Sequence, residues 1–228
     1  MEYIRYDGFE IKAEQVMVKT PELDYLNRKK QGEYTVEDYF AFSEEIRVEL
    51  IDGVIYKMNT PSYIHQSISA AIYIQLNDYI ERKGGNCVPF YAPCSVQLDQ
   101  DDRTMVQPDV MVVCKRDLIR RSVYYGAPDF VIEILSPSTR RRDMHLKLRK
   151  YRNAGVREYW MVDPDKKSVI VYHFDDGFHA IYGFGDKIPV HIYDGDCVID
   201  FARVYERTRF LYERDDEEND EEDDSGDM

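Results

Sequence analysis

The sequence predicts an α/β (α+β) domain, because helical and strand-like patterns alternate along most of its 228 residues. One long stretch, residues 62–82, repeats its apolar side chains at three- and four-residue steps, as an amphipathic helix does. Two short runs, 110–113 and 130–135, are apolar enough to be buried strands, and an acid heads the first and interrupts the second. From Tyr159 onward strand-like segments and turns dominate. A chain of this length reads as one domain. It can bury a core without disulfides or a structural metal.

Each element has its own signal. Residues 1–33 are mixed in character and read as an N-terminal extension, set off by Pro21 and a polar run from Asn27 to Gly32. Thr35, with an acid three residues on, caps a short amphipathic helix over 36–42. Residues 48–58 read as two short strands about an Asp52-Gly53 turn. In the long helix the apolar stripe is Ile64, Ile68, Ala71, Ile72, Leu76, Tyr79 and Ile80, and Gly84-Gly85 ends it. Residues 95–98 form a strand and 99–103 a polar turn. A polar, basic connection with a short helix joins the two acid-bearing strands. Ser136-Pro137-Ser138-Thr139 breaks the second of them and caps a helix over 140–154, which Gly155 stops. Residues 159–163, 169–174, 178–181 and 198–199 are further strands, and the folded domain spans 34–212.

The net charge of −14 misrepresents that domain. Ten acids lie between Asp215 and Asp227, and without them the charge is −4. A nucleic-acid partner is therefore not excluded. The acidic stretch 213–228 reads as a disordered, solubilising tail, with an autoinhibitory arm as the alternative. Cys87, Cys94, Cys114 and Cys197 lack Cys-x-x-Cys or zinc-finger spacing and read as reduced thiols, mostly in the core. The first residues lack the basic flank and apolar stretch of a signal peptide, and no apolar run is long enough to span a bilayer. The expected location is the cytoplasm, with no membrane partner.

The chemistry starts from Asp109 and Glu133. A buried carboxylate is costly unless it is paired, hydrogen-bonded or bound to a cation. Side chains alternate along a strand, so Glu133 shares a face with Val131 and Leu135. Asp109 follows Pro108, which favours an extended start to its strand. If the strands are neighbours, both acids converge on one cation, and magnesium suits two carboxylates plus waters or substrate oxygens. The plain alternative is a turn-capping Asp and a salt-bridged Glu. The helix that follows is basic: Arg140, Arg141, Arg142, Lys147, Arg149, Lys150 and Arg152 crowd it, with Asp143 its one acid. Asp143, Lys147 and Tyr151 step by four and share a face. These cations either hold phosphates or form a solvated face with an Asp143–Lys147 pair. Glu49 is a third candidate acid, inside another apolar run. His65 reads as a capping or packing histidine and Trp160 as core.

These residues, in this order, resemble the Uma2 family, itself regarded as part of the PD-(D/E)xK nuclease superfamily. The matching stretches are residues 34–39, Glu49 to Gly53, His65, Gln107 to Val110, Ala127 to Thr139, Asp143 with Lys147 and Tyr151, and Ala154 to Asp163. The resemblance implies a restriction-endonuclease-like core, a central mixed β-sheet flanked by helices. It implies Asp109 and Glu133 as ligands of Mg2+, or of Mn2+, and Glu49, Asp109, Glu133 and Lys147 as catalytic residues. The superfamily's lysine position is Leu135 here, so its role passes to Lys147, with Lys150 in reserve. Arg140, Arg141, Arg142, Arg149 and Lys150 would meet DNA. The function this implies is a magnesium-dependent DNA endonuclease, in keeping with a homodimer that cuts two strands. The alternative is an inactive nuclease fold that binds nucleic acid or protein. A small-molecule phosphoesterase is the weakest of the three.

Overall fold

The structure, a computed structural model, describes residues 3–6, 9–12, 29–42, 46–98 and 101–224, with only the backbone described for 3–6, 9–12 and 215–224. Strands β1 (Tyr3–Tyr6) and β2 (Phe9–Lys12) pair as an antiparallel hairpin. Helix α1 (Val36–Ala41) starts as expected: Asp38 N–H donates to Thr35 Oγ1, and Thr35 N–H donates to Asp38 Oδ2 at 2.8 Å. Thr35→Ala removes one arm of this box, and an expected loss of about 1 kcal/mol is checked by urea denaturation. β3 (Val48–Ile51) and β4 (Val54–Lys57) flank the turn, where Asp52 and Gly53 both have positive φ. That is the backbone of a tight hairpin. Gly53 also touches another chain segment, since a Cβ there would lie 2.6 Å from the Gly32 carbonyl oxygen.

Helix α2 (Tyr63–Lys83) is capped by Ser62 and ended by Gly84 in the left-handed region. Its buried stripe, Ile68, Ala71, Ile72, Leu76 and Ile80, lies against one face of a six-stranded mixed sheet. That sheet contains β5 (Val88–Tyr91), β8 (Val110–Val113), β11 (Phe130–Ile134), β12 (Glu158–Asp163), β13 (Ser168–His173) and β14 (Phe178–Gly183). Its order is β14-β13-β12-β11-β8-β5, with β11 and β12 parallel. Trp160 is buried in this layer, edge-on to Phe130 at 5.0 Å.

A second six-stranded sheet covers part of the opposite face. It joins β4 and β3 to β7 (Met105–Val106), β6 (Ser95–Gln97), β10 (Val123–Tyr125) and β9 (Ile119–Arg120). Val96, Val106 and Tyr124 from it meet Met111, Val131, Leu135, Tyr159 and Met161 from the first sheet. Glu133 alternates with Val131 and Leu135, so it points into this second layer. Helix α3 (Leu148–Ala154) closes the layer with Tyr151, and Gly155 at φ +96° ends the helix. A small pair, β15 (Lys187–Val190) and β16 (Cys197–Asp200), leads into α4 (Phe201–Asp224). The whole is an α+β fold of mixed sheets flanked by helices, as expected.

Two expectations are corrected. Cys87 and Cys114 form a disulfide rather than staying reduced. Antiparallel β5 and β8 place Val88 beside Val113, so the residues just beyond stand side by side. Cys94 and Cys197 keep free thiols, and burial pushes Cys197 up to about 12. The connection between the acid-bearing strands holds the expected short helix, Arg116–Leu118, but also β9 and β10. The backbone of α4 is helical to Asp224, and 225–228 lie outside the described residues. Among the described residues no helix is long and apolar enough to cross a membrane.

Candidate active site

Asp109 and Glu133 come together through strand register. β8 and β11 are antiparallel with Val110 beside Ile132, so one step further sets Asp109 opposite Glu133. Asp109 Oδ2 accepts the Ile134 N–H at 2.8 Å, which locks the two strand ends. The same oxygen lies 3.1 Å from His65 Nε2, on the first turn of α2. His65 does meet its helix cap, since its backbone N–H donates to Ser62 Oγ, but its ring faces Asp109.

Glu49 arrives from the second sheet. It is fully buried, and its Oε1 accepts the Gln107 N–H at 3.0 Å. Gln107 sits where the chain passes from β7 to β8. Its side chain donates to Tyr39 OH and to the Val48 carbonyl and accepts from Arg47. This amide fastens one sheet to the other beside the acids.

Lys147 is the centre. Its Nζ lies 2.8 Å from Glu49 Oε1, 2.9 Å from Glu133 Oε1 and 3.4 Å from Asp143 Oδ1. Tyr151 OH donates to the same Glu133 oxygen at 2.7 Å. The expected continuous α-helix over 140–154 is interrupted here by a π-helical turn, Arg142–Lys147. Such wide turns occur mostly as local insertions and recur at functional sites. Arg142 lies over the Tyr56 ring, with Nε 3.5 Å from Glu49 Oε2. Leu135, at the superfamily's lysine position, is buried in the apolar layer and brings no charge.

Electrostatics follow from this crowding. Burial opposes the charge on Lys147, but Glu133, Glu49 and Asp143 outweigh it and hold the ammonium well above its ordinary range. Burial raises the Glu133 carboxyl, Lys147 opposes this, and Asp109, Asp143 and Glu49 push it further up, leaving it well above the usual carboxylate range. Asp143 is raised too, chiefly by burial. One lysine thus serves several acids, and the cluster has room for more positive charge. Glu49 Oε2 is buried and lacks a hydrogen-bond partner. The cluster opens on a cavity of about 660 Å³ lined by His65, Asp109, Glu133, Arg142, Asp143 and Lys147 among others.

The five cations expected on DNA divide. Arg141 and Arg149 are exposed. Arg142 belongs to the acid cluster. Lys150 Nζ is 2.7 Å from Asp52 Oδ1, beside the β3–β4 turn. Arg140 grips Asp163 with two nitrogens and reaches Asp165 Oδ2 at 2.9 Å. Burial raises Asp163, but Arg140 and the Lys166 N–H outweigh it, so its carboxyl lies below the ordinary aspartate range. Such a pair stabilises the fold above the ordinary carboxyl range and loses that contribution as pH falls through the lowered value. Arg140→Ala is expected to cost about 1.5–3 kcal/mol near neutral pH. The gap from wild type should shrink in acid, as read by urea midpoints at several pH values.

Gln107 and the ring of His65 join this site without a local signal in the sequence, where His65 reads only as a capping or packing residue. A Gln before Pro-Asp and a His near a helix start are too common to stand out. Tyr151 carried a usable signal, the four-residue step from Asp143 and Lys147.

The chain is similar to known proteins over most of the described core. The model of the Uma2 family, described as "Putative restriction endonuclease", matches residues 36–191. An uncharacterized protein of Synechocystis is 29% identical over 143 residues, spanning 61% of this chain and 74% of that protein. A crystal structure from Anabaena variabilis, described as "a putative nuclease belonging to DUF820", superposes with a TM-score of 0.65 at 19% identity. It covers 76% of this chain and 98% of that one.

Proposed function

The chain belongs to the Uma2 family, and from that premise we propose that it is an endonuclease that hydrolyses DNA phosphodiester bonds with Mg2+, or with Mn2+. One observation carries the reading: Lys147 binds Glu49 and Glu133 at 2.8 and 2.9 Å where Asp109 also arrives, on the wall of an open cavity.

The residues present fit a hard divalent ion. Asp109 and Glu133 each spend one oxygen on protein donors. Among the described residues, Asp109 Oδ1 and Glu133 Oε2 have no protein hydrogen-bond partner. Two carboxylates that leave room for waters and phosphate oxygens are what magnesium prefers. Asp109 and Glu133 would hold it, and when bound it neutralises phosphate charge and favours ionisation of water. Lys147 offers a fixed ammonium to the charge that develops at phosphorus. Glu49 holds that ammonium in place, Tyr151 orients Glu133, and His65 orients Asp109. Exposed Arg141 and Arg149 supply salt-dependent contact with the DNA backbone. A cytoplasmic location, and a homodimer that brings two such sites to two strands, belong to the same reading.

The test incubates plasmid and single-stranded DNA with magnesium or manganese and titrates the protein with magnesium by calorimetry. Cleavage with a Glu133-dependent binding event supports the reading. No magnesium binding at millimolar concentration and no cleavage would favour a binding module, the reading that buried Leu135 supports.

A further inference from the structure

A second cluster lies away from the acids, at the β13–β14 end of the first sheet. His173 closes β13, Asp176 lies in the turn before β14, and His191 opens the short 3-10 turn His191–Tyr193 after β15. One ligand atom from each residue falls within 4.8 Å of the other two. His173 Nδ1 is 2.8 Å from Asp176 Oδ1. Apart from that contact, His173 Nε2 and His191 Nε2 are buried without a hydrogen-bond partner. Buried polar atoms are rarely left unsatisfied, so each such atom calls for an explanation.

The surroundings hold the trio in shape. The imidazoles stack with centroids 5.1 Å apart, and Phe178 packs on His191 at 4.5 Å. Register sets buried Glu158 beside His173. Glu158 Oε1 accepts from Trp160 Nε1, and its Oε2 accepts from the Ile192 N–H, next to His191. Both of its oxygens are engaged, so it positions the segment rather than pairing with the imidazoles. Asp175 also lies near, with Oδ2 3.7 Å from His173 Nε2.

We propose that His173, Asp176 and His191 form a binding site for a divalent transition-metal ion, zinc foremost, separate from the acid cluster. Two imidazoles and a carboxylate are zinc donors, at about 2.0–2.2 Å from the ion with a fourth position for water. Closing the set from within 4.8 Å to that spacing requires side-chain rotation, for which exposed Asp176 is placed. Magnesium, which prefers oxygen ligands in octahedral array, is the wrong ion for it. The bound ion would tie the β13–β14 turn to the segment after β15.

The experiment uses the full chain stripped of metal by chelator, with zinc ion alone as the probe. Calorimetry and melting curves are run on wild type, Asp176→Asn, His191→Gln and Glu133→Gln. The expected result is one zinc site in wild type and Glu133→Gln, weakened roughly tenfold or more in the other two variants. Zinc should raise the melting temperature of the first pair well beyond that of the second. Cobalt should give a tetrahedral visible spectrum that Asp176→Asn abolishes. Asp176 is exposed, so this variant tests the site even if His191→Gln fails to fold. Equal zinc affinity and melting shift in wild type and Asp176→Asn overturn the proposal, as does zinc binding lost only with Glu133→Gln.

Discussion

Supercoiled plasmid incubated with magnesium is expected to be nicked by the wild-type chain and to stay supercoiled with Asp109→Asn or Glu133→Gln. Both changes keep size and shape while removing the charge that would hold the ion. The amide oxygen at 109 can still accept the Ile134 N–H that joins β8 to β11, so the sheet should survive. Losing one preorganised group at such a site typically costs about 10²–10³-fold in rate, and losing an ion ligand should cost at least that. Magnesium heats should vanish in Glu133→Gln while its melting curve stays near wild type. The pH profile carries a sign. Burial and neighbouring acids raise the Glu133 carboxyl well above its ordinary value, so a proton competes with the ion. Cleavage by wild type should therefore rise as pH climbs through that raised value. Undiminished turnover in both variants would remove these acids from the mechanism.

The parts of this site that were legible in the sequence are those with local causes. Strand alternation set Glu133 on the Val131 and Leu135 face, and the four-residue step put Asp143, Lys147 and Tyr151 on one face. Both hold in the structure. The α2 stripe was legible for the same reason: a 3.6-residue period is written in adjacent residues. What local pattern cannot carry is pairing at a distance. That β8 runs antiparallel to β11, and so opposes Asp109 to Glu133, depends on register between segments more than twenty residues apart. The Cys87–Cys114 bond has the same character, with a separation of 27 residues. β5 was hidden differently. Pro89 argues against a strand, yet β5 is an edge strand, where the missing N–H does little harm. The π-helical turn has no composition signal, because Arg142–Lys147 reads as ordinary helix. Arg140 shows the limit of counting charge: its partners Asp163 and Asp165 lie 23 and 25 residues on, at the end of the neighbouring strand.

Lys147→Met is expected to destabilise the folded chain by about 3–5 kcal/mol, the usual cost of removing one partner from a buried ion pair. The side chain is nearly the same length, so lost packing is a small part of that cost. What remains is Glu49, Glu133 and Asp143 buried without their shared cation. The effect has a pH signature. Glu133 and Asp143 already titrate above their ordinary values, and losing Lys147 raises them further. A carboxyl raised in the folded state adds stability at low pH and loses it as pH rises through the folded value. The deficit of Lys147→Met should therefore be smallest in mild acid and widest above neutrality. Magnesium should narrow it, because a cation in the cluster replaces part of the missing charge and stabilises the state that binds it. Urea midpoints at three pH values, with and without magnesium, check both claims. A deficit indifferent to pH and to magnesium would mean that Lys147 acts by packing, and the acids would need another counter-charge. Cleavage should fall by about 10²–10³-fold in the same variant even where magnesium restores its fold, which separates what Lys147 does for the chain from what it does for the phosphate.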